Sequence, residues 1–394
     1  MNIYITGIGI ISAIGLNAEE NLCSLLDEKT GIKKSKIFSS DENIFVGEVK
    51  YSNEEFIEKF NLKKNPYSRT SLLGIAAAKE ALGNNSFDKN IRTGIISATS
   101  VGGMDRTEKY YRQVLQNKTA DISLIFTHDS GNTTEKIADE LGISRYINTI
   151  STACSSGANA IMLAARLIEQ NKLDCVLVGG TDALTNFTVK GFRSLMIYDS
   201  RWCKPFDEDR NGLNLGEGAA FLVLENEKSI DKTKKNPHGI ISGWHNAADA
   251  FHQTASSAEG KGATIAMENA IKKAGLSPYK INYINAHGTG TKNNDLAESI
   301  AIKNVFGKNI PPFSSTKSFT GHTLAAAGAI ESVFSVLAIK NNLILPNLNF
   351  TNAISETKLI PQIKIKKNEN VKTVLSNSFG FGGNNTSLVF SKIE

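Results

Sequence analysis

Cys154 is the residue of this sequence best placed to act as a nucleophile. It lies in the stretch INTISTACSSG, where a β-branched, strand-like run ends in small residues and a helical apolar pattern begins. Unpaired backbone N–H groups and the positive end of the helix dipole favour a thiolate at such a junction. Small neighbours on both sides leave room for a ligand. A small buried hydrophobic residue is the commoner role of an intracellular cysteine, and the small neighbours shift the interpretation towards a reactive thiol.

Two histidines and a lysine follow similar junctions further along the chain. His287 ends a predicted strand in INAHGTGT, and Lys317 and His322 precede a predicted helix of small residues in SSTKSFTGHTLAAAG. Taken singly, each histidine is more typical of a structural residue and the lysine of a surface charge. The glycine-rich run SFGFGG near the C-terminus has backbone N–H groups that could bind an oxyanion, with a plain turn as the alternative.

Alternating strand and helix patterns must position these residues, and they indicate a layered α/β protein. The clearest segments are predicted helices at residues 17–26 and 68–82 and predicted strands at residues 93–99 and 174–180. A polar, proline-bearing stretch at residues 231–238 is the best candidate for a linker. Strands that end in small-residue or glycine-rich turns occur both before and after this stretch. This is a weak internal repeat that suggests two similar halves.

Length and composition are those of an ordinary soluble protein. The 394 residues include 41% hydrophobic and 21% charged residues, enough for a large core in two units. Four scattered cysteines without a CxxC pair indicate a reducing cytoplasm. The apolar N-terminus lacks a basic leader, and no uncharged apolar stretch is long enough to span a bilayer. We therefore expect a cytoplasmic protein without membrane insertion.

The charge balance is mildly basic, with a net charge of +5 and a pI of about 8.8. No long Lys/Arg block with interleaved aromatic residues is present, so nucleic-acid binding is not expected. A mild positive charge suits an acidic protein or a phosphate-bearing ligand.

Four motifs, in this order and spacing, resemble the β-ketoacyl-acyl carrier protein synthases: TACSSG, NAHGTGT, TKSFTGHTLAAAGAIES and NSFGFGGNN. KPFDEDRNGLNLGEGA and the N-terminal TGIGIISAIG match as well, so the resemblance covers essentially the full length. It is closer to the elongating enzymes with a cysteine and two histidines than to the initiating Cys-His-Asn class. It implies the thiolase-like fold, in which two βαβαβαββ halves, here residues 1–235 and 236–394, stack as a five-layer αβαβα sandwich.

The resemblance also implies a reaction. Cys154 would be acylated from acyl carrier protein, with the backbone N–H groups of Cys154 and Phe381 binding the oxyanion. His287 and His322 would polarise the thioester of malonyl-acyl carrier protein while CO2 leaves, and a 3-oxoacyl thioester two carbons longer would form. No cofactor is required, since the phosphopantetheine arrives on the carrier protein. The partners implied are acyl carrier protein and a second subunit, in a homodimer or in a heterodimer with a chain-length-factor-like chain.

Further residues receive roles from the same resemblance. They are Lys317 and Glu331, which would orient His322 and its loop; Thr289 and Thr291, which would contact the pantetheine arm; Phe381, with Phe379 beside it, which would gate the site; and Asn285, Glu331, Ser376 and Asn377, which would hold a structural monovalent cation. We also predict, from their clustering beside a surface helix, that Lys63, Lys64 and Arg69 dock an acidic carrier protein.

Departures from the family pattern leave the pathway open. SSG after the cysteine is common in polyketide-type ketosynthases, and Asn384–Asn385 stands where TN is usual. Residues 250–260 lack the usual proline. Residues 121–134 diverge most, at a segment that in this fold lies near the dimer contact and the end of the acyl pocket. Acyl length, fatty-acid versus polyketide or polyene synthesis, and the identity of the second subunit therefore stay open.

Three other functions compete with this interpretation. A non-catalytic chain-length subunit usually lacks the cysteine that is present here. A thiolase uses a second cysteine near its C-terminus as a base, and no cysteine follows Cys203. A Cys-His hydrolase would leave Lys317 and the second histidine unexplained.

Overall fold

Strands and helices alternate along the chain, as the periodicity predicts. The computed structural model describes residues 2–35, 38, 44–62, 66–83 and 90–393. Its strands are β1 (Tyr4–Ile11), β2 (Ile32–Lys34), β3 (Phe45–Gly47), β4 (Thr93–Ala98), β5 (Ile147–Ile150), β6 (Cys175–Asp182), β7 (Gly218–Glu225), β8 (Gly239–Ala248), β9 (Tyr283–Asn285), β10 (Phe313–Ser314), β11 (Thr373–Gly380) and β12 (Asn384–Ser391).

Helices connect most of these strands. The α-helices are α1 (Ala18–Leu26), α2 (Asn53–Lys59), α3 (Arg69–Leu82), α4 (Met104–Leu115), α5 (Ser130–Leu141), α6 (Ser156–Glu169), α7 (Asn186–Ser194), α8 (Glu227–Thr233), α9 (Lys261–Lys273), α10 (Lys292–Phe306), α11 (Lys317–Thr320) and α12 (Ala327–Asn341). Short 3-10 helices form at Ile122–Ile125, Pro278–Lys280 and Leu324–Ala326.

Asparagine and serine side chains set several of the helix starts. The Asn17 side chain accepts the backbone N–H of Glu20 at the start of α1, and Ser68 accepts that of Ser71 at the start of α3. Both helices therefore begin where the sequence predicts. The predicted linker at residues 231–238 is wrong in part, because Asn226 caps α8 and that helix continues to Thr233.

The described strands β1 and β4–β12 form one mixed sheet, in the order β10-β9-β11-β12-β8-β1-β7-β6-β4-β5, while β2 pairs with β3. Each half contributes five described strands to this sheet. Counted within its half, the first strand lies beside the fifth, and the fourth, second and third follow in that order. The halves meet where Tyr4 pairs with Ile240 and Ile5 with Gly239. This repeated order confirms the two similar halves, and the boundary at residue 235 stays a prediction.

Five layers result from packing helices on both faces of the two half-sheets. The α3 and α5 helices cover the first half, α9 and α10 cover the second, and α6 and α12 lie between the halves. The segment Leu324–Asn341 is apolar and long enough to cross a membrane, but 89% of it is buried inside the protein. It is a core helix of the central layer.

Glycines let the two central helices approach each other closely. A Cβ added to Gly157 of α6 would lie 2.8 Å from the carbonyl oxygen of Ala325, and one added to Gly328 of α12 would lie 2.7 Å from the backbone nitrogen of Ala158. Since real Cβ atoms do not approach so closely, these positions require glycine. The contact brings the start of α6, which follows Cys154, against the loop that carries His322.

Candidate active site

Cys154, His287 and His322 line one cavity of about 370 Å³. Cys154 and His287 lie in the loops after β5 and β9, and His322 follows α11, the short helix after β10. All three side chains are almost fully buried, so they meet at the inner end of the cavity. The family resemblance predicts that these three residues lie together, although their motifs are far apart along the chain.

A sharp turn presents Cys154 between β5 and α6. Ala153 has a positive φ of 53°, which is unfavourable for a residue with a side chain. The Ser156 hydroxyl stabilises the turn, because its Oγ accepts the Thr152 N–H at 2.7 Å and donates to the Ala153 carbonyl at 2.6 Å. The predicted strand-to-helix junction is therefore present, and it aims the sulfur into the cavity.

Burial raises the pKa of the Cys154 thiol to about 11, against the opposing effects of the Lys317 charge and of the backbone N–H groups of Phe381 and Cys154. The thiolate predicted from the helix N-terminus is therefore not the resting form, because desolvation exceeds the stabilisation by the N–H groups. The same two N–H groups are those that the sequence predicts for the oxyanion.

Lys317 fixes the protonation of His287. Its buried ammonium donates to His287 Nδ1 at 3.1 Å, to the His287 carbonyl oxygen at 2.6 Å and to Glu331 Oε1. An ammonium can only donate, so Nδ1 must accept and the ring proton must lie on Nε2. The expectation that Lys317 orients His322 needs correction, because the hydrogen bonds of the Lys317 side chain go to His287 and Glu331.

His322 is held in the same tautomer by a different donor. Its Nδ1 accepts the backbone N–H of Leu324 at 3.1 Å, which leaves the proton on Nε2. The Ala325 N–H of the same turn donates to buried Asp182 at 2.8 Å, so this loop is anchored on the first half of the chain.

The two imidazoles form a pair of neutral donors. Their ring centroids are 5.5 Å apart and the rings are perpendicular, at 88°. Burial lowers the pKa of both rings well below the usual value, and the positive charge of Lys317 lowers it further. Two fixed Nε2–H groups in a buried site suit a developing enolate oxygen, since they need no reorganisation during the reaction.

Two acidic residues of α10 hold the His287 loop and are absent from the sequence-based predictions. Glu298 accepts the N–H groups of His287 at 2.9 Å and Gly288 at 2.8 Å, and Asp295 accepts that of Gly290 at 3.1 Å. The available signal is their spacing of three residues in the helix that follows NAHGTGT, which places both carboxylates on one face.

Thr289 and Thr291 lie on the wall of the cavity, and their hydroxyl oxygens are 2.9 Å apart. Thr289 is almost fully buried and Thr291 is partly exposed, so the pair runs from the interior towards the mouth. This location is compatible with the predicted contact to a pantetheine arm.

Phe381 and Phe379 occupy different positions around the site. Phe381 stacks on Phe192 of α7 with ring centroids 5.7 Å apart, whereas Phe379 of β11 packs 5.8 Å from the His287 ring. Phe379 therefore supports an imidazole, and Phe381 is the residue in a position to close the cavity. Phe192 belongs to no motif, so the sequence carries no signal for its place beside Phe381.

The residues predicted to hold a monovalent cation are only partly suited to it. Buried Asn285 Oδ1 and Glu331 Oε2 have no hydrogen-bond partner in the described part of the chain, which fits a cation between them. Ser376 pairs with Asn285 across β11 and β9. The Asn377 amide donates to Glu298 and accepts from Ser387, so its side chain is not available as a ligand.

The predicted carrier-docking cluster is wrong at Arg69. This side chain is 12% exposed and forms a two-point ion pair with the fully buried Glu217, with Nη2 2.6 Å and Nε 2.9 Å from the carboxylate, and it also donates to the Tyr51 carbonyl. Arg69 therefore has a structural role, because its charge is enclosed by its own chain. Lys63 and Lys64 lie outside the described residues.

Comparison with known proteins gives a consistent result. Residues 1–229 match the family model described as "Beta-ketoacyl synthase, N-terminal domain", and residues 238–351 match "Beta-ketoacyl synthase, C-terminal domain". The 3-oxoacyl-[acyl-carrier-protein] synthase 2 of Staphylococcus aureus (strain MRSA252) is 34% identical over 100% of this chain and 99% of its own length.

Solved structures agree with the sequence matches. The ishigamide ketosynthase/chain length factor superposes with a TM-score of 0.93 at 27% identity, over 100% of this chain and 99% of that one. A type II PKS acyl-carrier protein in complex with its ketosynthase bound to the hexaketide has a TM-score of 0.88 at 26% identity, with 100% and 99% covered.

Proposed function

Because the chain belongs to the β-ketoacyl synthase family, we propose that it is an elongating 3-oxoacyl-acyl carrier protein synthase of fatty-acid or polyketide synthesis. The observation that carries this proposal is the cavity in which a buried thiol meets two neutral Nε2–H imidazoles. A nucleophile and a fixed donor pair are the two components that a decarboxylating condensation needs.

The first step transfers an acyl group to Cys154. The sulfur attacks the carbonyl carbon of an acyl thioester on acyl carrier protein, an S–C bond forms, and the carrier S–C bond breaks. The thiol proton leaves with the carrier, whose phosphopantetheine ends as a free thiol. The N–H groups of Cys154 and Phe381 bind the negative oxygen of the tetrahedral intermediate.

The second step forms the new carbon–carbon bond. Malonyl-acyl carrier protein loses CO2, and the electron pair of the broken bond becomes an enolate whose oxygen accepts from Nε2–H of His287 and His322. The enolate carbon attacks the acyl carbon on Cys154, the C–S bond breaks, and the sulfur takes one proton from solvent. The product is a 3-oxoacyl thioester on the carrier.

Other residues position the groups that react in these steps. Lys317 keeps the His287 proton on Nε2, and the α10 carboxylates hold its loop, as their hydrogen bonds indicate. Thr289 and Thr291 contact the pantetheine arm, and Phe381 closes the cavity between substrates. Asn285 and Glu331 would hold a structural monovalent cation, whose positive charge would add to that of Lys317 beside the buried Glu331 carboxylate.

An exposed apolar surface supports a second subunit. Tyr111 and Leu115 of α4, together with Ile122 and Phe126, are each more than half exposed. Strand β5 has an unpaired edge in the described part of the sheet. An exposed apolar surface and a free strand edge are each typical of an interface. We propose a homodimer or a heterodimer with a chain-length-factor-like subunit, working in the cytoplasm without nucleic acid or membrane insertion.

The thiolase alternative is not supported by the positions of the cysteines. Cys154 lines the cavity, whereas Cys203 lies outside it, buried with its sulfur 3.7 Å from the Lys317 carbonyl oxygen. Burial raises the pKa of Cys203 to about 12, which disfavours it as a base. The chain-length-subunit alternative would leave the thiol and both imidazoles without a use.

Two measurements test the proposal. Intact-protein mass spectrometry after mixing with a panel of acyl-acyl carrier proteins should show one acyl group per chain, lost in Cys154→Ala. Cys154→Gln should abolish condensation while sparing or raising decarboxylation of malonyl-acyl carrier protein, because the amide resembles an acylated cysteine. Condensation retained in that variant would contradict the assignment of the nucleophile.

A further inference from the structure

We propose that Ser155 and Asn384 form a positioning pair that holds together the two loops bearing the oxyanion N–H groups; this role rests on the proposed function. Ser155 Oγ and Asn384 Oδ1 are 2.7 Å apart. Both residues depart from the family pattern, one in SSG and the other in the NN that replaces TN. The structure makes these two departures direct partners.

Ser155 is fully buried next to the nucleophile. Its hydroxyl proton is shared between Asn384 Oδ1 and the carbonyl oxygen of Thr152, which lies 2.8 Å away at the start of the turn. The residue is also the N-cap position of α6. A displacement of Ser155 therefore moves the backbone N–H of its neighbour Cys154.

Asn384 lies at the far end of the loop that carries Phe381. It follows Gly382 and Gly383, which have positive φ values of 83° and 77°, and it is the first residue of β12. Its Oδ1 also accepts the amides of Asn159 at 2.8 Å and Asn246 at 2.7 Å. Three donors on one oxygen fix the Asn384 side chain, so its bond to Ser155 is a defined link.

At its other end, Gly380, the Phe381 loop packs closely against the turn that carries Cys154. A Cβ added to Gly380 would lie 3.0 Å from Ser155 Oγ and 3.3 Å from the Cys154 nitrogen. The Phe381 loop is therefore held against the nucleophile on one side by close packing and on the other by the serine–asparagine bond. The N–H groups of Cys154 and Phe381 both point at the sulfur between these two contacts.

Loss of the hydrogen bond between Ser155 and Asn384 should slow acyl transfer to Cys154 more than decarboxylation or alkylation. An oxyanion site depends on donors held within hydrogen-bond distance of the oxygen, so a small shift of the Phe381 loop weakens acyl transfer. Decarboxylation uses the imidazoles, which this bond does not contact. Alkylation of Cys154 by iodoacetamide places its negative charge on the departing iodide and develops none on a carbonyl oxygen.

The test compares acylation with alkylation in Ser155→Ala, Asn384→Ala and the double variant. We expect single-turnover acylation by acyl-acyl carrier protein to fall about 10- to 100-fold in each single variant, somewhat below the loss of a whole oxyanion donor. Alkylation by iodoacetamide should stay within about threefold of wild type. The double variant should be no more than about threefold slower than the slower single variant, as expected for partners in one bond.

Asn246→Ala is the matched control, because it removes one donor to the Asn384 oxygen while the hydrogen bonds from Ser155 and Asn159 to that oxygen remain. Its acylation rate should stay within about threefold of wild type. Equal acylation of wild type and Ser155→Ala, a parallel fall in alkylation, or an equal loss in Asn246→Ala would each overturn the positioning role. A wild-type chain that is not acylated at all would overturn the proposed function and this role with it.

Discussion

Lys317 contacts His287 at two atoms, with its ammonium 3.1 Å from Nδ1 and 2.6 Å from the carbonyl oxygen of the same residue. One buried side chain thus determines both the tautomer of the imidazole and the position of its backbone. The third proton goes to Glu331, so the ammonium has no donor capacity left.

Replacing Lys317 by methionine should impair decarboxylation specifically. Without a donor at Nδ1 the His287 proton can move to that atom, and the enolate then loses one of two donors. We expect about a 10²- to 10³-fold loss of malonyl decarboxylation, the usual effect of one missing oxyanion donor. The assay uses the Cys154→Gln background, where acyl transfer does not intervene. A rate within threefold of that of the parent would show that the tautomer is held by other contacts.

Stability should depend on pH through His322. Its folded-state pKa is below the ordinary value of 6.5, so the unfolded chain binds a proton more readily than the folded one. The contribution to the free energy of unfolding is therefore full above pH 6.5 and decreases as the pH falls, by about 1.4 kcal/mol per pH unit.

Denaturant unfolding of wild type and His322→Asn at pH 7.5 and 5.5 checks this sign. Glu298 and Glu331, whose pKa burial raises to about 7, and His287, whose pKa burial lowers, are present in both proteins, so the difference between the two proteins reports His322. Wild type should lose more stability than the variant on acidification. An equal loss in both proteins would mean that His322 ionises as easily in the folded chain as in the unfolded one.

Removing Phe192 should loosen the closure of the cavity. A stacked aromatic pair contributes about 0.5–1.5 kcal/mol, so Phe192→Ala should raise the population in which Phe381 has moved away by about 2- to 10-fold. Iodoacetamide should then alkylate Cys154 faster by the same factor. Phe187→Ala, a change at an exposed position of the same helix, is the control and should leave the rate unchanged. If Phe192→Ala is alkylated at the wild-type rate, the stacking of Phe192 on Phe381 does not keep the cavity closed.

Arg69 should matter for stability and not for carrier binding. Removing one partner of a buried ion pair leaves an uncompensated charge, and Arg69→Met should therefore lower the free energy of unfolding by about 3–5 kcal/mol. Chemical denaturation measures this loss, and the KM for acyl-acyl carrier protein should be unchanged in the folded fraction. A raised KM at unaltered stability would restore the original docking prediction.

Local patterns were sufficient for much of the fold. The caps of α1 and α3, the strand-to-helix junction at Cys154 and the two similar halves all follow from residue periodicity and from motifs that act over a few residues. The motifs likewise indicate the nucleophile and the two histidines as candidates, and the fold brings them to one cavity. Such features depend on neighbours along the chain, which a sequence displays directly.

The remaining features depend on contacts between distant segments. Whether Lys317 serves His287 or His322, whether Arg69 is buried, and whether Ser155 reaches Asn384 are decided by how loops from both halves meet. The protonation of Cys154 depends in the same way on desolvation, which exists only once the cavity is closed. The sequence by itself determined which residues could react. Burial and hydrogen bonding in the tertiary structure decided their partners and their charge, because both are properties of the packed interior and not of the chain order.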